Sequence, residues 1–129
     1  MLSEDFTVRW IGQVAVIVLP AEIDISNADQ VRQDLLRALS KGATTLIADM
    51  SATMFCDSAA MNALVEVHRK ASGRSARLLL VSDSAVVRRV LGITGIDQLL
   101  DIHPTVARSL IGLLPDPPDS RVNTAITSG

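Results

Sequence analysis

Val14-Ala15-Val16-Ile17-Val18-Leu19 is an unbroken apolar run in which four of the six residues are β-branched. A strand with one wet face alternates apolar and polar side chains, whereas a run without polar interruption belongs to a strand covered on both faces. Just upstream, Phe6-Thr7-Val8-Arg9-Trp10 does alternate, as an edge or one-sided strand would, and Ile11-Gly12-Gln13 joins the two segments. A hairpin feeding a buried sheet is therefore expected at the amino-terminal end.

Working toward the carboxyl end, Ser26-Asn27-Ala28-Asp29 places an acid three residues after a serine, the pattern that satisfies free amides at a helix start. Ala28, Val31, Leu35, Ala38 and Leu39 follow at helical spacing, and Lys41-Gly42 closes the helix. Thr45-Leu46-Ile47-Ala48-Asp49 reads as a strand. Asp57 then caps a second helix that runs to Gly73, with Ala60, Leu64, Val67 and Ala71 as its inward stripe and Met61 and Val65 widening it. Arg77-Leu78-Leu79-Leu80-Val81 is a further buried strand. Ser82-Asp83-Ser84 caps a helix carrying Val86, Val87, Val90 and Leu91, and Leu99-Leu100-Asp101-Ile102 reads as a short strand. Pro104 suits the first turn of a last helix carrying Val106, Leu110 and Leu113, which Pro115 stops.

Strands that alternate with helices imply parallel neighbours joined by crossovers, so the fold class is α/β. The expected architecture is a sandwich around a mixed, largely parallel sheet of four to five strands with about four helices. Residues 1–114 form one domain, because 129 residues suit a single core, and residues 115–129 have too little apolar periodicity to pack and read as a flexible tail.

Composition narrows the function. With no Tyr, two Phe and one Trp, the chain lacks stacking platforms for single-stranded nucleic acid. Its net charge is -2 and its twelve basic residues are spread without a dense run, so no direct nucleic-acid partner is expected. The amino terminus, Met1-Leu2-Ser3-Glu4-Asp5, is acidic where a secretory leader is basic, and no apolar run is long enough for a membrane span. These features describe a cytoplasmic protein with no membrane insertion.

Enzymatic constellations are missing. Ser58 lacks the flanks of a nucleophile elbow, and His68 lies ~15 Å along the same helix, too far for direct proton transfer. His68 and His103 are remote from each other and sit in no ligand pattern, and Gly92-Ile93-Thr94-Gly95 has neither the spacing nor the lysine of a phosphate loop. The reading is a non-enzyme with no cofactor and no metal. Cys56, the lone cysteine, suits either a thiol activated by the helix end or a small buried side chain, and Met50, Met54 and Met61 suit either an adaptable binding patch or core filling. The step Asp57-Ser58 itself suits an ordinary capped first turn or a regulatory hydroxyl at a strand-to-helix turn.

Together, the strand and helix order, the segment Pro20-Ala21-Glu22-Ile23-Asp24 after the second strand, and Asp57-Ser58-Ala59-Ala60-Met61 at the second helix start resemble the STAS domain of bacterial anti-sigma-factor antagonists. The resemblance spans about residues 5–114. The family's motif at the helix start is typically Asp-Ser-Ser/Thr-Gly and an aliphatic residue, so Asp57 and Ser58 match while Ala59 and Ala60 depart. Ala21 stands where the family has glycine, and a stiffened or reshaped turn is expected there.

The resemblance implies a partner-switching protein that binds a serine-kinase anti-sigma factor, frees the sigma factor and is switched off by phosphorylation at Ser58. It places partner contacts at Asp24, Ser26, Asn27, Cys56, Asp57, Ser58, Ala59, Met61 and Asn62, with a phosphatase as a further partner and a homodimer compatible with the family. Two alternatives go with it: a non-catalytic scaffold in a signalling complex, and an accessory subunit that binds the ATPase of an ABC-type transporter.

Overall fold

The computed structural model describes residues 8–114; Phe6, Thr7 and the expected tail, 115–129, lie outside them. Seven strands are present among the described residues: β1 (Val8–Ile11), β2 (Val14–Val18), β3 (Glu22–Ile23), β4 (Thr45–Asp49), β5 (Phe55–Cys56), β6 (Arg77–Val81) and β7 (Asp101–His103). Five helices accompany them: α1 (Ala28–Ser40), α2 (Ser58–Gly73), α3 (Ala85–Ile93), α4 (Ile96–Leu99) and α5 (Val106–Ile111).

The main sheet has the order β1-β2-β4-β6-β7, with β1 antiparallel to β2 and all other pairs parallel. Gly12, at φ 59, opens the two-residue turn between β1 and β2, the position where a hairpin turn of matching twist calls for a left-handed residue. From β2 outward the register aligns Ile17, Ala48 and Leu80, so apolar side chains stack in rows across the sheet.

The unbroken run in β2 has its cause in two separate cores. Ala15, Ile17, Leu46, Ala48, Leu78 and Leu80 face α1 and α2, and meet Leu35 and Leu64 there. Their neighbours in sequence, Val16, Ile47, Leu79 and Val81, point the other way and pack with Val106, Leu110 and Leu113 at α5. Strand side chains alternate between faces, and both faces here are apolar because both are covered.

Some expectations need correction. Leu99 does not begin a strand: Ile96–Leu99 is a single helical turn, and β7 starts at Asp101. Ile96 and Leu100, four residues apart, are both buried, and a helical turn lets both reach the same core. Pro104 lies outside the last helix, whose cap is Thr105; its Oγ1 accepts from the Arg108 amide at 3.1 Å. Val86 is exposed, leaving Val87 and Leu91 as the buried residues of α3. Among the described residues no helix is long and apolar enough to cross a membrane.

Candidate functional site

Two segments that leave the carboxyl ends of β2 and β4 are stitched together above the sheet. β3 pairs in parallel with β5, matching Glu22 to Phe55 and Ile23 to Cys56. The Met54 amide donates to the Ala21 carbonyl at 2.7 Å, the Thr53 hydroxyl to the Pro20 carbonyl at 2.8 Å, and the Asp57 amide to the Ile23 carbonyl at 3.2 Å. Asp24 and Asp57 are thereby fixed one residue beyond a paired register. Ala21 itself shows no strain, since Ser75 is the only non-glycine with positive φ among the described residues. Alanine is accommodated at this position because the turn does not enter the left-handed region that would call for glycine.

The loop from Asp24 to Asn27 differs from the expected cap. Ser26 does not cap α1; its hydroxyl donates to Asp24 Oδ1 at 2.5 Å and its amide to the same oxygen at 2.9 Å. Asn27 is the residue before the helix, and its side chain accepts from the Asp24 amide at 2.9 Å while donating to the Glu22 carbonyl at 2.8 Å. Serine and aspartate compete with helix amides for local bonds, and here the local bonds win. The Ser26 hydroxyl, followed by its amide, holds the Asp24 carboxyl below the ordinary carboxylate range.

Across the stitch, Asp57 behaves as read. Its Oδ1 accepts from the Ala59 amide at 2.9 Å and the Ala60 amide at 3.2 Å, which satisfies two orphan donors of α2. Ser58 follows as the first helical residue and is exposed, Ala59 is half-buried and Asn62 is exposed. Replacing Asp57 by Ala is expected to lower unfolding stability by about 1 kcal/mol, the usual worth of a side-chain cap. Asp57→Asn retains the acceptor and most of that stability. Thermal melts of both variants test this; an Asp57→Ala protein that melts with the wild type would remove the cap from the account.

Cys56 and Met61 are each only 4% exposed, so neither is placed to touch a partner directly; they support the turn from below. Burial pushes the Cys56 thiol above its ordinary value and the charge of Asp57 adds to this, the reverse of an activated thiol. Of the three methionines near the turn, Met50 and Met61 fill the core and Met54 alone is exposed.

Of the apolar rim, the sequence points to Met54 as part of a binding patch but not to Ile25 or Phe55. Ile25, Met54 and Phe55 are 85%, 73% and 52% exposed. Ile25 stands between Asp24 and Ser26, and its signal in sequence is an apolar residue among polar loop residues; Phe55, between Met54 and Cys56 in β5, carries no such signal. An open groove of about 280 Å³ lies between α1 and α2, lined by Ala28, Ala59 and Ala63 with Ile25 and Asn62, and by the charged Asp29, Arg32 and Glu66. Arg32 spans it, bound to Asp29 on its own helix and to Glu66 of α2 at 3.2 Å.

A sequence model of the STAS domain matches residues 5–109. A relative from Thermotoga neapolitana, named as the homologue of the anti-sigma factor antagonist TM1081, is 26% identical over 106 residues, which is 81% of this chain and 94% of its own. An anti-sigma factor antagonist from Mycobacterium paratuberculosis has a crystal structure similar at a TM-score of 0.76 and 24% identity, over 82% of this chain and 90% of that one. The Bacillus cell fate determinant SpoIIAA in its phosphorylated form is similar at a TM-score of 0.64 and 22% identity, over 83% and 97% of the two chains.

Proposed function

The chain belongs to the STAS domain family, and we propose that it is an anti-sigma-factor antagonist working by partner switching, with Ser58 as its phosphorylation site. The observation that carries this reading is the placement of Ser58: exposed, on the first turn of a capped helix, one residue from Asp57 and across the β3–β5 pairing from the Asp24 loop. Asp24, Ser26, Asn27, Asp57, Ala59 and Asn62 form the contact surface around it, with Cys56 and Met61 beneath.

Its partner is a serine-kinase anti-sigma factor. While Ser58 carries its hydroxyl, the chain occupies that partner and the sigma factor is free. In the reaction the γ-phosphoryl group passes from ATP to Ser58 Oγ, the serine proton leaves to a base on the kinase, and ADP remains. Phosphoserine adds about -1.5 to -2 charges at neutral pH. The helix N-terminus tolerates an anion, so the modified chain stays folded while the interface does not. A phosphatase that removes the group would restore binding.

Purified serine-kinase anti-sigma factor from the same organism, mixed with ATP and this chain, is expected to add one phosphoryl group, mapped to Ser58 by peptide mass spectrometry and absent in Ser58→Ala. A wild-type chain that binds the kinase yet is never modified would show Ser58 to be an ordinary first-turn residue.

A further inference from the structure

The surface around Ser58 is strongly biased in charge. Segments 20–32 and 54–66, which build it, carry Glu22, Asp24, Asp29, Asp57 and Glu66 against a single base, Arg32. The chain has fourteen acidic and twelve basic residues, which leaves nine acids and eleven bases for everything else. The imbalance therefore belongs to this surface and not to the molecule. Arg32 is already engaged by two of the five carboxylates, Asp29 and Glu66, and Lys70, one turn beyond the second segment, lies 3.8 Å from Glu66, which leaves Glu22, Asp24 and Asp57 without a basic partner among these segments.

Apolar contact area lies within the same surface. Ile25, Met54 and Phe55 are exposed in the loops that carry the acids, and the α1–α2 groove opens beside Ile25 with alanine side chains along it. Apolar anchors ringed by charge are the composition of an interface whose affinity comes from the anchors and whose selectivity comes from the charges.

On the partner-switching reading, we infer that this surface docks a cationic face of the partner protein, and that one long basic side chain of the partner lies in the α1–α2 groove. Lysine and arginine have apolar stems that match the alanine lining and charged heads that match the carboxylates at the rim. Ala59 sits on this path and sets the room available to that stem. A second copy of the chain is a poor occupant, because a two-fold interface would set these five carboxylates against the same five.

The experiment measures binding of the full chain to the purified serine-kinase anti-sigma factor by calorimetry. Raising salt from about 50 to about 300 mM, which shortens the screening length from ~14 to ~6 Å, is expected to weaken binding severalfold. Glu22→Lys and Glu66→Lys each weaken it about tenfold, and Ala59→Leu, which fills the groove without changing charge, does the same. Glu66→Gln, milder toward the fold, gives a smaller loss in the same direction. Asp97→Lys makes the same charge change on exposed α4 and leaves affinity within about twofold.

Melting curves accompany each variant, so that a loss of binding is read only on folded protein. Reversals without effect, or an equal loss with Asp97→Lys, overturn the cationic docking; continued phosphorylation of Ser58 in those samples leaves the partner-switching reading standing. A wild-type chain that is neither bound nor phosphorylated overturns both. Stronger self-association of Glu22→Lys or Glu66→Lys in sedimentation would assign the groove to a second copy and also overturn it.

Discussion

Ser58→Asp is expected to fold as the wild type does and to lose at least about thirtyfold in affinity for the serine-kinase anti-sigma factor, or ~2 kcal/mol. Stability is preserved because a carboxylate on the first turn of α2 lies where the helix dipole and free amides favour negative charge. The loss of binding has a source that an acidic surface alone does not supply. If the partner's face is cationic, added negative charge would at long range strengthen attraction, so the switch must act at contact. A kinase that phosphorylates Ser58 has to bring a nucleotide phosphate to its Oγ. After transfer, or in Ser58→Asp, that hydroxyl becomes an anion facing the remaining phosphates, and like charges so close cost several kcal/mol. Ser58→Ala removes the acceptor while adding no charge, and keeps near wild-type affinity. Calorimetry with ADP-loaded kinase measures all three; equal affinities for Ser58→Asp and wild type would end the charge-switch account.

Much of this was legible in the chain. The apolar run of β2, the helical spacing from Ala28 to Leu39 and the cap at Asp57 reflect strong local rules in which side-chain period and tertiary burial agree. β3 and β5 are different in kind. Each has two residues, too short for any period, and their pairing comes from the ends of β2 and β4 running parallel and side by side in the main sheet. No local signal encodes that pairing, although it is what relates the Asp24 loop to Ser58. Ser26 departs from its cap pattern for a similar reason: the residue type suits a cap, but Asp24, two positions earlier, offers its hydroxyl an acceptor. An apolar pair such as Leu99-Leu100 does not by itself distinguish a strand from a helical turn, and the burial of Ile96 with Leu100 favours the turn.

Ile23→Ala tests whether the β3–β5 stitch carries function as well as stability. Ile23 is almost fully buried in the main core, and its carbonyl holds the Asp57 amide. Removing its side chain is expected to cost about 3 kcal/mol, through lost burial and the cavity left behind, and to lower the melting temperature by roughly 10–15 °C. Leu46→Ala, in the centre of the main sheet with no exposed surface, costs a similar amount. The two should part in binding. At 20 °C both proteins are largely folded, but only Ile23→Ala loosens the register that fixes the Asp24 loop against Asp57, so it alone should weaken binding to the kinase severalfold. Ordering a loosened two-residue strand on association draws on the interface energy, since loop ordering is among the costs of binding. Equal affinities for the two variants would mean that the stitch contributes to folding only, and that the Asp24 loop needs no fixed relation to Ser58.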